Sequence, residues 1–340
     1  MSQKPIAVTM GEPSGISSEI IIKAWKKRKE KKLPPFILVD DIQKLHQVNN
    51  LFDLDAHFHS IKNNEDPLKI FQHSLPVIDI RANIKLSLGK PDSRNSKYVI
   101  KSINKAFELV YSKQASAILT LPVCKKTLKK AEFRFHGQTE YLSYLAKKKT
   151  GEKNTEIMIL STTKPVDKGS NLIVGLVTTH IPLLEVKKEL TKKLIEQKLI
   201  SFRSSLQKFW NIKNPRIAIS GMNPHAGEGG LIGNEEIRVI KPVLTKFSKN
   251  NIKILGPLSS DSCFHKSSRY QFDGILCLYH DQGLIPIKTL DFDNSINVTG
   301  GLPFIRVSPD HGPAFDIANK NNAKLDSLFS SFNFLKEVIK

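Results

Sequence analysis

Cysteine is scarce in this sequence, and its hydrophobic runs are short. The chain has 340 residues and three cysteines, Cys124, Cys263 and Cys277, which are odd in number and widely spaced. This pattern excludes a disulfide framework and a cysteine-based zinc finger. No apolar run approaches the roughly 18 residues that a membrane-spanning helix needs. The first residues enter an apolar segment without a secretory hydrophobic region or cleavage site, so we expect a cytoplasmic protein without a membrane partner.

Acidic residues are few relative to basic ones. Lysine and arginine total 52 while aspartate and glutamate total 32, which gives a formal net charge of +20. Such an excess is compatible with nucleic-acid binding. Most of it is lysine on helical faces, however, and aromatic residues do not interleave with it as a base-stacking surface requires. Dispersed lysine is typical of a solvated surface and suits anionic substrates in general, so composition alone leaves the partner open.

Short apolar segments alternate with helical patterns along the whole chain. Leu199, Phe202 and Leu206 belong to one apolar stripe at helical spacing. This alternation predicts an α/β fold whose largely parallel sheet is buried between helices. The segments that we predict to be strands are residues 6–9, 36–39, 77–80, 117–120, 172–177, 216–220, 253–255 and 274–279.

Three of the ten histidines occupy comparable positions. His180, His225 and His280 each lie at or just beyond the carboxyl end of a predicted strand. In open α/β sheets this edge is where ligands bind, and three imidazoles converging there could form a catalytic metal site with open positions. Their spacing matches no local metal motif, and hydrogen-bonded histidines at strand ends explain the pattern equally well. Spacing alone leaves both interpretations open.

Two glycine-rich turns follow predicted strands. Residues 223–236 open a helix, where exposed backbone amides favour an anion such as phosphate. They nearly match the dinucleotide-binding fingerprint, but the last glycine is misplaced by one position. Residues 9–15 form the second turn, and a tight turn with Ser17 or Ser18 as the helix cap explains it as well as ligand contact does.

Cationic and amide side chains gather downstream of His280. Lys288, Asn297 and Arg306 lie among apolar neighbours. A charged group in that setting needs a partner, and an anionic ligand is one candidate. A lysine or arginine near a strand end also reaches solvent along its apolar stem, so these three residues are candidate ligand contacts only.

Six motifs occur in order along almost the whole chain. They are TMGEPSG at 9–15, GQTE at 137–140, TTHIPL at 178–183, NPHAGEGG at 223–230, YHDQGLIP at 279–286, and GLPFIR at 301–306 continuing to PDHG at 309–312. Together they closely resemble the family of 4-hydroxythreonine-4-phosphate dehydrogenases of pyridoxal phosphate biosynthesis. The resemblance covers residues 6–318 and is far more specific than any single histidine.

The resemblance implies a fold, a quaternary structure and cofactors. The family has an isocitrate/isopropylmalate-dehydrogenase-like α/β fold, with a mostly parallel sheet flanked by helices and two domains with a cleft. It implies a homodimer with active sites at the subunit interface, NAD or alternatively NADP, and a divalent metal ion (zinc, cobalt or magnesium). On this chain we expect a terminal domain of residues 1–130 plus 256–340. Residues 131–255 would form a central domain with part of the metal site and of the dimer interface.

The resemblance also assigns site residues. It implies that His180, His225 and His280, contributed across the dimer, hold the metal ion, and three imidazoles suit zinc or cobalt better than magnesium. It assigns no residue to the nicotinamide cofactor, which this fold binds outside the glycine fingerprint. The positions that it assigns to substrate binding are Gln138, Thr139, Lys288, Asn297 and Arg306.

The implied reaction is the oxidation of 4-(phosphooxy)-L-threonine by NAD, followed by decarboxylation to 3-amino-2-oxopropyl phosphate. A bound metal ion makes the substrate hydroxyl easier to deprotonate and then polarises the new carbonyl. Lys288 and Arg306 would hold the anionic groups of the substrate. Lys288 is also a candidate catalytic residue for proton transfer, on its position alone.

One departure from the family bears on the substrate. The family usually has Gly-His-Thr-Glu where this chain has Gln138 between Gly137 and Thr139. Glutamine donates hydrogen bonds but carries no positive charge. The alternative that this leaves open is a paralogous dehydrogenase of 4-phospho-D-erythronate or D-threonate, which shares the metal site and the mechanism.

Two rival functions belong to other classes. A basic nucleic-acid-binding protein would show steeply salt-dependent binding but would leave the three histidines unexplained. A metal-binding scaffold without catalysis would leave Lys288, Asn297 and Arg306 unexplained. We therefore expect an enzyme with a phosphorylated amino-acid substrate and no nucleic-acid partner.

Overall fold

The computed structural model describes residues 4–62, 65–151, 155–166 and 171–339. The described residues form twelve strands and twelve α-helices. The strands are β1 (Ile6–Thr9), β2 (Phe36–Asp40), β3 (Phe58–Ser60), β4 (Leu75–Asp79), β5 (Ala117–Leu119), β6 (Ile157–Ser161), β7 (Ile173–Leu176), β8 (Ile217–Ser220), β9 (Ile254–Leu258), β10 (Gly274–Cys277), β11 (Ile296–Gly300) and β12 (Ile305–Pro309). The helices are α1 (Ser17–Lys26), α2 (Ile42–Leu51), α3 (Pro67–Phe71), α4 (Ser96–Tyr111), α5 (Lys125–Lys130), α6 (Gln138–Thr150), α7 (Leu183–Glu189), α8 (Lys192–Phe209), α9 (Lys241–Lys249), α10 (Lys266–Arg269), α11 (His280–Leu290) and α12 (Asp326–Val338). Within these ranges no helix combines the length and apolar character needed to span a bilayer.

The chain divides into two compact units. Unit 1 comprises Met1–Leu145 with Phe304–Lys340, and unit 2 comprises Ala146–Pro303. This division differs from the one expected from the sequence, in which the central domain spans residues 131–255. In the structure the following segment belongs to unit 2, since β10 pairs with both β7 and β8, and β11 pairs with β6.

The sheet of unit 1 is entirely parallel. Its strand order is β3-β4-β2-β1-β5-β12, and each neighbouring pair is parallel. Every residue of β1, β2 and β5 is buried, which explains why these strands read as continuous apolar runs rather than alternating patterns. The predicted parallel α/β sheet is confirmed here.

The sheet of unit 2 is mixed. Its order is β11-β6-β7-β10-β8-β9, with β6 antiparallel to both of its neighbours and the remaining pairs parallel. The three central strands β7, β10 and β8 run in one direction. Their carboxyl ends therefore lie at one edge of the sheet.

Helix α8 covers the sheet of unit 2 with the predicted apolar stripe. Leu199, Phe202 and Leu206 are fully buried. The Phe202 ring lies so close to the sheet that a Cβ at Gly175 in β7 would be 2.8 Å from its Cδ2, and a Cβ at Gly274 in β10 would be 2.8 Å from its Cζ. Both strands thus need glycine because an aromatic ring takes the space of the missing side chain.

Helix starts follow from capping side chains in some helices but not in α1. The Asp41 carboxylate accepts from the backbone amides of the first turn of α2, and Thr191 does the same for α8. Helix α1 follows Ile16, which provides no side-chain cap. The cap by Ser17 or Ser18, one of the two interpretations of this turn, is not what forms: both residues lie inside α1, Ser17 Oγ donates to the Pro122 carbonyl, and Ser18 Oγ accepts a 2.8 Å hydrogen bond from buried Lys44.

Candidate functional site

The three histidines follow three neighbouring parallel strands of unit 2. His180 comes after β7, His225 after β8 and His280 directly after β10. Because β10 lies between β7 and β8 and pairs in parallel with both, all three side chains start from the same edge. This placement at the carboxyl edge is the one that the sequence predicted.

His180 and His280 lie side by side. Their ring centroids are 5.5 Å apart, and the ring planes make an angle of 48°. The Nδ1 atom of His280 is 2.7 Å from Oδ1 of Asp281. In the neutral imidazole, donation from Nδ1 to this carboxylate leaves the Nε2 lone pair open, which is the orientation that metal-binding histidines adopt.

His225 stands apart from this pair. It is exposed and lies next to Asp261, whose pKa is lowered first by a hydrogen bond from Ser259 and further by the charge of His225. In the part of the chain that the structure describes, no group of three or more His, Cys, Asp or Glu side chains could hold a metal ion. One copy of the chain therefore brings His180 and His280 together without His225.

Unit 1 holds a buried arginine at the end of its sheet. Arg306, in β12, is only 3% exposed. Its Nε and Nη2 atoms donate to Thr120 Oγ1 at 3.0 and 2.6 Å, and Nη1 donates to Thr139 Oγ1 at 3.2 Å. Burial lowers the pKa of Arg306 to about 10, and the nearby carboxylate of Glu140 opposes that shift. The guanidinium therefore keeps its positive charge at neutral pH.

Gln138 lies at the start of α6 and is 8% exposed. Its Nε2 donates to the Leu121 carbonyl at 3.1 Å. That contact orients the amide, because the opposite orientation would place two oxygen atoms together. Among the described residues, Gln138 Oε1 and Glu140 Oε2 are buried without a hydrogen-bond partner. Such buried acceptors are rare in native proteins and favour a ligand donor at this place.

Lys288 and Asn297 lie in unit 2. Lys288, near the end of α11, places Nζ 4.8 Å from the ring centroid of Phe292. Asn297, in β11, has a buried Oδ1 atom that no described residue donates to. The structure thus places the sequence-predicted residues in two sets: Gln138, Thr139 and Arg306 in unit 1, and Lys288, Asn297 and the three histidines in unit 2.

The glycine-rich turn after β8 is not a free phosphate cradle. The backbone amides of Met222 and Asn223 donate to Oε1 of Glu236 at 2.7 and 2.8 Å. An internal carboxylate therefore occupies the amides at the entrance of this loop. The turn after β1 likewise contains an internal carboxylate, because Glu12 accepts hydrogen bonds from the Ser14 amide and from the Thr127 hydroxyl. Burial raises the pKa of Glu12.

Several residues that contribute to the site are not among those that the sequence predicts. Thr120 directly follows β5, and Asp281 directly follows His280, so position alone could have indicated both. Glu140 is the last residue of the GQTE motif, but the burial of its Oε2 atom results from the fold and cannot be read from the motif. The hydrogen bonds of Glu236 join residues that are separated along the chain, so no local pattern indicates them.

Comparison with known proteins gives a consistent result. The family model of the pyridoxal phosphate biosynthetic protein PdxA matches residues 32–335. A 4-hydroxythreonine-4-phosphate dehydrogenase of Methylorubrum populi is 39% identical over 337 residues, which cover 98% of this chain and 94% of that protein. A protein of the same name from Zymomonas mobilis is 39% identical over 320 residues, or 94% of this chain and 91% of the relative.

Solved structures are similar over the whole chain as well. The crystal structure of 4-hydroxythreonine-4-phosphate dehydrogenase from Klebsiella pneumoniae has a TM-score of 0.82 and 32% identity, covering 99% of this chain and all of that one. A terephthalate 1,2-cis-dihydrodioldehydrogenase from Burkholderia xenovorans has a TM-score of 0.62 with 20% identity, covering 98% of each chain. The second likeness concerns the fold alone.

Proposed function

Because the chain belongs to the PdxA family of pyridoxal phosphate biosynthetic proteins, we propose that it oxidises 4-(phosphooxy)-L-threonine with NAD and releases carbon dioxide. It is a dehydrogenase of the PdxA type. In the proposed reaction the hydroxyl carbon of the substrate gives a hydride to NAD and the hydroxyl loses its proton. The resulting β-keto acid loses its carboxylate as carbon dioxide, and protonation yields 3-amino-2-oxopropyl phosphate. NADP remains the alternative electron acceptor.

The observation that carries this proposal is the set of histidines on three adjacent strands. The donor chemistry fits a divalent transition metal, since His180 and His280 lie side by side and Asp281 orients the His280 ring. His180, His225 and His280 would hold the ion, with zinc or cobalt favoured over magnesium. When bound, such an ion acts as a Lewis acid that lowers the pKa of the substrate hydroxyl and polarises the carbonyl formed from it.

The residues of unit 1 would bind an anionic group of the substrate. Arg306 remains charged, and Thr120 and Thr139 hold its guanidinium in one orientation. A preorganised guanidinium loses little freedom when it binds a phosphate or carboxylate, so it fixes the position of the reacting carbon. The open Oε1 of Gln138 accepts hydrogen bonds only and would face a donor, such as the substrate ammonium or a hydroxyl.

Two of the residues that we assign to substrate binding lie in unit 2. The Asn297 Oδ1 atom offers a buried acceptor, and the Lys288 ammonium offers a cation on the helix that begins with His280. We assign to Lys288 binding of an anionic group and, by its position, proton transfer. Lys288→Ala tests the second role, because loss of binding alone raises KM and leaves kcat intact.

A homodimer is part of the proposal. Large apolar side chains in the segments that follow the three histidines along the chain are exposed in the single chain, and Leu184 reaches 86% exposure. Large exposed apolar side chains that form a patch mark an interface. A second copy would cover them and could supply the ligand that one chain leaves apart. The exposed residues are Leu183, Leu184, Leu231, Ile232, Ile237 and Ile285.

A second candidate substrate class is favoured by Gln138. A neutral amide replaces the imidazole that the family usually has at this position, so the contact with the substrate changes. The alternative activity is oxidation of 4-phospho-D-erythronate or D-threonate by the same residues. A comparison of kcat/KM on the two kinds of substrate decides between them, and a higher value on the phosphorylated sugar acid would favour the alternative.

The first test is formation of NADH by the purified protein with 4-(phosphooxy)-L-threonine and NAD. Turnover that a chelator abolishes and added zinc or cobalt restores would support both the reaction and the metal site. Absence of turnover in a folded protein supplied with zinc, cobalt or magnesium would overturn the assignment. The same assay with NADP in place of NAD identifies the preferred electron acceptor.

A further inference from the structure

The loop that carries His225 has an unusual backbone. Residues 225–229 all have positive φ, so five consecutive residues adopt the left-handed helical conformation. Glycine tolerates this conformation, but His225, Ala226 and Glu228 are not glycine. Left-handed residues normally occur singly, because the side chain approaches the following carbonyl oxygen. A run of this kind persists only where the surrounding structure enforces it.

A buried carboxylate lies beneath this left-handed turn. Glu236 is 1% exposed, and its Oε1 accepts from the backbone amides of Met222 and Asn223 at 2.7 and 2.8 Å. The turn packs directly on the same carboxylate, since a Cβ at Gly227 would lie 2.7 Å from Glu236 Oε2. Glu236 therefore fixes the chain before His225 and contacts the chain after it.

A second set of contacts links the same loop to α7. The Asn223 side-chain amide donates to Glu236 Oε2 at 2.9 Å and to Glu235 Oε2 at 2.8 Å. Glu235 Oε1 in turn lies 2.8 Å from Nζ of Lys187. The Nδ2 group of Asn223 thus joins both carboxylates, and because both accept, only the orientation that turns Nδ2 toward them fits.

We propose that Glu236 is a positioning residue that holds His225 in the conformation in which it binds the metal ion. This inference rests on the proposed function, because it takes His225 as a ligand. A relaxed loop would let the residues from His225 to Glu228 return to right-handed or extended backbone, and the imidazole would move with them. The carboxylate offsets that tendency through the bonds to Met222 and Asn223 and through contact with Gly227.

Glu236→Gln tests the role with little change in volume. A glutamine still accepts from the two backbone amides through Oε1, but its Nε2 meets the Asn223 Nδ2 as donor against donor. Rotating the Asn223 amide would set its oxygen against Glu235. We expect cobalt affinity to fall about 10- to 100-fold, as for other residues that orient metal ligands. The visible absorption of bound Co²⁺ should also change, because it reports coordination geometry.

Rescue separates positioning from a general loss of structure. In the Glu236→Gln background, Ala226→Gly and Glu228→Gly remove the side chains that disfavour the left-handed turn. If Glu236 acts by holding this turn, the two glycines restore at least part of the cobalt affinity and the wild-type spectrum. If Glu236 contributes only to global stability, the folded Glu236→Gln protein keeps the wild-type cobalt affinity and spectrum, and the two glycines have nothing to restore.

The matched control is Asp273→Asn, which breaks another carboxylate contact in unit 2, the one with Arg216. We expect lower stability with an unchanged cobalt affinity and spectrum. Should Glu236→Gln fail to fold, Asn223→Ala carries the same test by removing the amide that joins the two carboxylates.

The outcomes are distinct. Wild-type protein that binds no Co²⁺ overturns the proposed metal site and this inference with it. Wild-type binding with unchanged affinity and spectrum in Glu236→Gln overturns the inference alone, as does an equal loss in Asp273→Asn. Loss in Glu236→Gln with recovery by the two glycines supports it.

Discussion

Unit 1 buries Gln138 and Arg306, whereas unit 2 exposes His180 and His225 to solvent. In unit 1, Arg306 and Gln138 are buried, and the folded chain supplies hydrogen-bond partners for both. In unit 2, large apolar residues that follow His180 and His225 along the chain are exposed as well. Unit 1 fixes its buried arginine with hydrogen bonds from its own chain, while unit 2 presents histidines and apolar side chains to solvent.

This difference indicates two routes to a preorganised site. A guanidinium that two threonine hydroxyls hold is ready for an anion before substrate arrives. In our proposal, a metal ion completes the arrangement of the imidazoles at the sheet edge, and a second copy of the chain covers the exposed apolar residues. We therefore expect variants in unit 1 to act on substrate binding, and variants in unit 2 to act on metal binding and on assembly.

The largest expected effect is that of His280→Ala in unit 2. A Lewis-acid metal contributes several kcal/mol to a transition state, and each 1.36 kcal/mol is a factor of ten, so kcat should fall about 1000-fold. Metal content measured on the purified variant should fall with it. His265→Ala, an exposed histidine of the same unit, is the control and should retain wild-type values.

Arg306→Lys should have the next largest effect and act through unit 1. Lysine keeps the charge but cannot reach Thr120 and Thr139 while presenting a planar fork to an anion. Hydrogen bonds to charged groups contribute about 1.5–3 kcal/mol each, so we expect kcat/KM to fall about 100-fold with metal content unchanged. Arg216→Lys, in the half-exposed pair with Asp273, is the matched control, and a comparable loss there would contradict the assignment.

Leu184→Glu should weaken association without changing unit 1. Burial of a leucine side chain contributes about 1.5–3 kcal/mol, so the dimer dissociation constant should rise about 10- to 100-fold, which sedimentation measures. Leu51→Glu alters a leucine of unit 1 that is 58% exposed. If Leu51→Glu weakens the dimer and Leu184→Glu does not, the interface lies elsewhere.

The smallest expected effect concerns Glu235. The hydrogen bonds from Lys187 and then Asn223 lower the pKa of Glu235 to about 2. A depressed carboxylate pKa stabilises the folded state above the ordinary value of 4.5, and this contribution is lost as pH falls through about 2. Glu235→Gln should therefore reduce the free energy of unfolding by about 1 kcal/mol at pH 7. Urea titrations should show this difference shrinking between pH 5 and pH 3, and a constant difference would contradict the account.

Sequence predicted the buried strands better than the others. β1, β2, β5, β8 and β10 coincide with apolar runs, because strands buried on both faces need apolar residues throughout. β3 was missed as a short strand with partly exposed residues, and β12 was missed because it contains a buried arginine and ends in proline. β6 was overlooked although its residues Ile157–Ser161 begin with an uninterrupted apolar run.

The sequence predicts where the candidate site lies in the fold, at one edge of the sheet, but not the geometry of its side chains. Strand ends gave the common edge of His180, His225 and His280, since chain direction fixes where loops emerge. The left-handed turn after Asn223 was not predictable, because Glu236 enforces it through contacts that a linear pattern does not contain. The resemblance indicated Arg306, yet its bonds to Thr120 required the pairing of β5 with β12.

The ratio of carbon dioxide to NADH is the sharpest test of the proposed oxidative decarboxylation. Substrate labelled in its carboxyl carbon would be supplied as 4-(phosphooxy)-L-threonine with NAD and zinc or cobalt. We expect one carbon dioxide for each NADH, with both absent after chelation. NADH without carbon dioxide would show oxidation without decarboxylation, and turnover that survives chelation would contradict the role of the three histidines.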